Sequence, residues 1–190
     1  MIHLIGPGGA GKTVVGPLVA QRLGVAFHDL DAVFARRFGD IDAFIAARGY
    51  PAYARANVQA YLGVEADGVI AASSGFMTYP AAVHPRYAAV RDAIGRSPTT
   101  FVLLPSLDLE TCVAETVRRQ LARPHTRRTA AREEAVIRER FGLYLAVPAP
   151  RVETLRPPPH VAAEIVARLL PHVASSCPSS PDSPHAGRSA

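Results

Sequence analysis

Lysine is almost missing from this chain. Of its 21 basic residues 20 are arginine, the only lysine is Lys12, tryptophan is absent, and cysteine occurs twice. Cys112 and Cys177 are too few and too far apart to make a disulfide framework or a metal site. No apolar run approaches the ~20 residues that cross a bilayer, so a helical membrane span is excluded. Met1 to Ile5 runs straight into a glycine-rich loop without the basic stretch and long apolar core of an export signal, which makes a cytoplasmic location the expectation. His3, His28 and His84 have no metal-ligand spacing and read as packing or surface residues. Basic segments interleaved with aromatics are lacking too. The net charge of +5 is carried by scattered arginines, and nucleic acid is not the expected partner. A sequence this rich in arginine that keeps one lysine points to a site where a planar guanidinium cannot replace a compact ammonium.

What is present is an alternation of short apolar runs with helical patterns. At 190 residues one domain with a full core is expected. Ile2 to Ile5 predicts a strand, Lys12 to about Leu23 a helix closed by Gly24, and Val25 to His28 a second strand. Helices are expected at Ala32 to Phe38, Ile41 to Arg48 and Ala52 to Ala66, and a third strand at Val69 to Ala72. A helix over Ala81 to Ile94 despite Pro85, a strand at Thr100 to Leu104, and helices near Leu107 to Leu121 and Ala131 to Leu145 follow. A strand near Val152 to Thr154 and a helix from Val161 to Leu170 complete the pattern. This order predicts an α/β fold with a parallel sheet covered on both faces. From Ala174 to Ala190 serine, proline and glycine dominate, which predicts a disordered tail after a domain of residues 1–173.

Gly6-Pro7-Gly8-Gly9-Ala10-Gly11-Lys12-Thr13 satisfies the phosphate-loop pattern G-x-x-x-x-G-K-[ST], between an expected strand and an expected helix. Glycines let successive amides turn inward onto phosphate oxygens, and the helix that starts there adds the positive end of its dipole. Gly8, Gly9, Ala10, Gly11, Lys12 and Thr13 are thus the expected ATP-phosphate site, with Lys12 reaching the β- and γ-phosphates and Thr13 holding Mg²⁺. Asp29-Leu30-Asp31 follows the second strand, at the end of the sheet where ligands collect. Read as extended chain, it turns both carboxylates to one side. Asp29 is the candidate for the Mg²⁺ shell and Asp31 for orienting or deprotonating an acceptor hydroxyl, with helix capping as the alternative for one of them.

With these residues on view, the sequence resembles the shikimate kinase family. The resemblance is carried by the phosphate loop, Leu23 to Asp31, Ile41-Asp42-Ala43-Phe44 with Gly49, Arg123-Pro124, Arg140-Phe141-Gly142-Leu143-Tyr144 and Val152-Glu153-Thr154, and it spans residues 1 to about 171. It implies a three-layer P-loop kinase fold with a five-stranded parallel sheet and a mobile lid at about 122–131, using ATP and Mg²⁺. It further implies that Arg123 meets the transferring phosphate, that Arg118 or Arg119 with Arg156 and Pro159 lies near adenine, and that Arg140 grips an acceptor carboxylate, with Arg138 in a competing register.

The acceptor half departs from the family pattern. Where the family has a Phe-Arg pair followed by Glu, this chain has Tyr53-Ala54-Arg55-Ala56-Asn57, with Arg55 rotated by about 100° around a helix from the expected place. A three-glycine turn near the acceptor ring becomes Ser73-Ser74-Gly75, which makes Ser74 and Gly75 candidate substrate contacts beside Asp31 and Arg140. The expected activity is transfer of the γ-phosphate of ATP to a hydroxyl of shikimate or a related ring compound, by a monomer. A sugar, cyclitol or antibiotic hydroxyl, or nucleotide binding without turnover, are the alternatives.

Overall fold

The computed structural model of the chain describes residues 1–64, 67–123 and 129–174, with side chains as far as Leu169. Five parallel strands, β1 (Ile2–Ile5), β2 (Ala26–Asp29), β3 (Gly68–Ala71), β4 (Thr100–Leu104) and β5 (Arg151–Glu153), form one sheet in the order β2-β3-β1-β4-β5. Parallel neighbours need long crossovers, and helices supply them: α1 (Lys12–Leu23), α2 (Leu30–Phe38), α3 (Ile41–Arg48), α4 (Tyr50–Leu62), α5 (Tyr87–Arg96), α6 (Leu109–Leu121), α7 (Ala130–Leu145) and α8 (Pro158–Ala174). Two short 3₁₀ turns, Phe76–Thr78 and Ala81–Val83, precede α5.

The central strands are buried on both faces, and alternate residues feed opposite cores. Leu4, Phe101 and Leu103 pack with Val15, Val19, Val161 and Ile165 under α1 and α8. Ile5, Val102 and Leu104 pack with Phe34, Tyr53, Phe76, Tyr87, Ile137 and Tyr144 on the other side. This is the three-layer arrangement the sequence predicts. Strand β1 sits at the centre, between β3 and β4. The chain leaves its carboxyl end into residues 6–11, so the phosphate loop emerges where the connections to either side diverge and leave a crevice.

Gly6 makes that exit possible. Its φ of 143° is one that side chains rarely adopt, and a Cβ there would lie 2.2 Å from the Leu103 carbonyl oxygen on the neighbouring strand. Gly6→Ala is therefore expected to destabilise the fold by at least about 2 kcal/mol, a fall in the urea midpoint with unchanged slope.

Three expectations are corrected. The helix over Ala81 to Ile94 is divided: residues 81–83 make a 3₁₀ turn, His84 is extended (φ −153°, ψ 142°) because proline follows it, and the helix begins at Tyr87. Asp31 is not on extended chain, since β2 ends at Asp29 and Asp31 lies in the first turn of α2. Ala174, expected to open the tail, still belongs to α8; the rest of the expected tail, residues 175–190, lies outside the described residues. So do residues 124–128 of the expected lid; its described ends are the close of α6 at Ala122 and the start of α7, capped by Thr129.

Candidate active site

The phosphate loop is shaped by left-handed backbone at Gly9 (φ 74°) and Gly11 (φ 87°), and Gly11 caps α1 without a side-chain hydrogen bond. No acidic residue lies in the first turn of α1. The amides and positive dipole end of this helix therefore face the crevice unneutralised, an arrangement that fits a phosphate chain. Lys12 is buried and folds back over the loop, its Nζ donating to the carbonyls of Gly6 (2.7 Å) and Pro7 (2.8 Å). Burial pulls its pKa down to about 8, partly opposed by Asp31 and Asp29 and reinforced by Arg123 and Arg140. These four charged residues, distant in sequence, thus act on one ammonium. Thr13 is exposed on the same turn.

The lowered value has a sign that can be followed. Between pH 8 and the ordinary 10.5 the folded chain holds less proton at Lys12 than the unfolded chain, so this lysine costs stability at neutral pH and the cost is relieved as pH rises through 8. Phosphate binding needs the charged form. ATP affinity, measured by calorimetry, is expected to be flat below pH 8 and to weaken above it by up to about tenfold per unit, with proton uptake on binding.

Beside the loop lies a cleft of about 530 Å³ lined by Gly9, Gly11, Thr13, Arg118, Arg119, Arg123, Arg156 and Pro157. Arg119 holds its floor together: Nη1 donates to the Gly9 carbonyl and the Thr154 hydroxyl (3.1 Å each), Nη2 to the Thr154 carbonyl (2.8 Å), and Nε to Glu115 (2.6 Å). Hydrogen bonds from Arg118 and Arg119 hold the Glu115 carboxyl down at about 2. Arg119 is thereby committed as a clamp between α6, the loop and the end of β5. Arg156 at the cleft wall pairs with Glu164. Arg123 is exposed at its mouth. Gln120 closes the other side of the loop, its amide nitrogen lying 2.3 Å from where a Cβ on Gly8 would stand and donating to the buried Glu133 at 3.0 Å.

Two carboxylates stand at the start of α2. Asp29 caps α2 and accepts from the Asp31 amide at 3.0 Å, so the capping alternative holds for Asp29 and brings the pair together. Burial and the neighbouring Asp31 raise the Asp29 carboxyl above the ordinary range. Among the described residues no group of three or more His, Cys, Asp or Glu could hold a metal. Mg²⁺ bound chiefly through phosphates and water needs no such cage, and Thr13 with Asp29 suits it.

Asp31 accepts from the Ser73 hydroxyl at 2.5 Å. Ser73 follows β3 and is bonded from behind by Asn57, which in turn accepts from Tyr79. Arg140 on α7 donates to the Ser74 carbonyl (3.3 Å) and the Tyr50 hydroxyl (3.2 Å), and Tyr144 also donates to the Ser74 carbonyl (2.8 Å). The turn Ser73-Ser74-Gly75 is so fastened on both sides. A Cβ at Gly75 would stand 2.5 Å from the Tyr50 hydroxyl. Among the described residues no carboxylate pairs with Arg140. Arg138, its rival in register, is taken up by Glu110 and Glu134. Arg55 is exposed while Ala54, Ala56 and Asn57 beside it are buried, so it turns outward and does not restore the missing cation. Sequence reasoning missed Tyr50 and Tyr79 altogether, and treated Ser73 and Asn57 only as departures.

The sequence profile of the family described as shikimate kinase matches residues 8–170. Curated relatives named shikimate kinase, from Thermobifida fusca and from Mycobacterium avium, are each 31% identical over 88% of this chain, covering 93% and 92% of their own lengths. Among solved structures the fold is similar to that of shikimate kinase from Acinetobacter baumannii in complex with shikimate (TM-score 0.65, 22% identity, 92% of each chain). It is also similar to a gluconokinase from Sinorhizobium meliloti (TM-score 0.55, 16% identity, 92% of this chain and 93% of that one).

Proposed function

The chain belongs to the shikimate kinase family, and from that premise we propose that it transfers the γ-phosphate of ATP to a hydroxyl of shikimate or a closely related hydroxylated ring compound. The observation that carries the reading is the phosphate loop with Lys12 folded over it, bordering a cleft lined by Thr13, Arg119, Arg123 and Arg156. Lys12 and the loop amides bind the β- and γ-phosphates. Thr13 and Asp29 would hold Mg²⁺, which would supply charge neutralisation to the phosphates. Asp31 orients the acceptor hydroxyl and takes its proton as the new P–O bond forms. Arg123 meets the charge that spreads over the transferring group, and Arg119 and Arg156 border the nucleoside. Arg140, bonded among the described residues only to neutral oxygens, anchors an acidic substituent, with Ser74 and Gly75 bounding the ring.

All these groups come from one chain, which suits a monomer. An ATP-dependent reaction fits the cytoplasm, where ATP is held. A neutral sugar or cyclitol acceptor is the second reading, and one thing favours it: with Ala54 buried and Arg55 outside, α4 supplies no cation to this side of the site. Coupled ADP release across shikimate, a neutral hexose and a neutral cyclitol separates the two. Shikimate is expected to be turned over, with Arg140→Ala raising its KM. Turnover of a neutral acceptor alone supports the second reading, and tight ATP binding with no turnover of any acceptor overturns the kinase.

A further inference from the structure

Behind Asp31 runs a chain of hydrogen bonds with a single direction. An ionised carboxylate can only accept, so the Ser73 hydroxyl must donate to Asp31 Oδ1 (2.5 Å). That leaves Ser73 Oγ as an acceptor, so Asn57 must turn its amide nitrogen toward it (3.0 Å) and its oxygen away. The Asn57 oxygen then accepts from the Tyr79 hydroxyl at 3.2 Å. Burial keeps that phenol protonated, raising its pKa well above the ordinary value. The buried Tyr53 hydroxyl stands beside both Ser73 and Tyr79, and along the line from Tyr79 through Asn57 and Ser73 each orientation follows from the carboxylate at the end.

The cost of this arrangement is out of proportion to any structural need of Asp31. Asn57 is fully buried and Ser73 and Tyr79 are each 3% exposed, whereas Asp31 itself is exposed. A carboxylate in contact with water needs no partner, while three buried polar side chains are tolerable only when all are satisfied. Left alone, an exposed aspartate samples several rotamers.

We propose that Ser73, Asn57 and Tyr79 are positioning residues for phosphoryl transfer, holding Asp31 by one carboxylate oxygen so that the other meets the acceptor hydroxyl. The proposal rests on the reading of Asp31 as the acceptor-side carboxylate. It gives a role to two of the positions, 57 and 73, at which the acceptor half departs from the family pattern.

The test compares three variants. Ser73→Ala is expected to lower kcat on the order of 10- to 100-fold, the size of a misplaced reacting group, with KM for ATP unchanged. Ser73→Thr is expected to keep most of the activity. A packing role predicts the opposite order, because threonine adds a methyl group to a nearly closed site and alanine adds nothing. Asn57→Asp, an isosteric change, is expected to match Ser73→Ala, since an acid at 57 draws the serine proton away from Asp31. A second readout needs no acceptor: the carboxyl carbon resonance of Asp31 in the full, unliganded chain should move in Ser73→Ala and Asn57→Asp and return in Ser73→Thr. Normal turnover by Ser73→Ala where Asp31→Asn is inactive overturns the positioning role and leaves the kinase reading standing. So does a threonine variant no better than alanine. If the resonance behaves as expected and no acceptor is phosphorylated, the kinase reading fails and the hold on Asp31 stands.

Discussion

Lys12→Ala is expected to lower kcat/KM on the order of 1000-fold, the upper range for losing one preorganised charge at a phosphoryl or oxyanion site. Two losses combine. The buried ammonium no longer meets the phosphates, and the Gly6 and Pro7 carbonyls lose the donor that now closes over them. Arginine is expected to fail as well, because the ammonium reaches both carbonyls from within a buried site that a planar guanidinium cannot enter without displacing the loop. Steady-state kinetics beside ATP titration of the folded variant is the check. Turnover by Lys12→Ala at the unaltered rate would contradict the central assignment.

Asp31→Asn is expected to reduce kcat by about 10² to 10⁴ with KM for ATP nearly unchanged, as befits loss of a general base on the acceptor side only. The change is isosteric, and the amide oxygen can still accept from Ser73, so the fold and the nucleotide cleft are left intact. Single-turnover measurement with bound ATP separates this from a defect in binding. A variant that lost ATP affinity in step with kcat would move Asp31 to the nucleotide side.

The nucleotide half was legible in the sequence because its chemistry admits few residue types in one contiguous order. Loop, lysine and hydroxyl lie within residues 6–13, and β1 and α1 frame them. Thr100–Leu104 was readable as a strand for a similar reason, a short apolar run buried on both faces. Asp29 and Asp31 are joined by a hydrogen bond, but the helix start between them is hidden in the sequence because Asp29 serves at once as the last residue of a strand and the cap of a helix. The acceptor half was least legible. Tyr50 and Asn57 lie on α4, Ser73 and Tyr79 in the connection between β3 and α5, and Arg140 on α7, and no local period or spacing relates these three segments. Arg119 shows the same limit from the other side, since a guanidinium that ties loop to strand cannot be told in sequence from one that awaits a ligand.

The solitary lysine makes the site countable. A side-chain amine whose pKa sits near 8 is about half free base at that pH, and no other side-chain amine exists in the chain. An amine-directed acylating reagent used at pH 8 would therefore place its side-chain label at position 12 alone, with the Met1 amino group as the competitor to subtract. ATP should suppress the label in proportion to occupancy. Reagent consumed per chain becomes a direct titration of intact phosphate sites in any preparation, with no acceptor required.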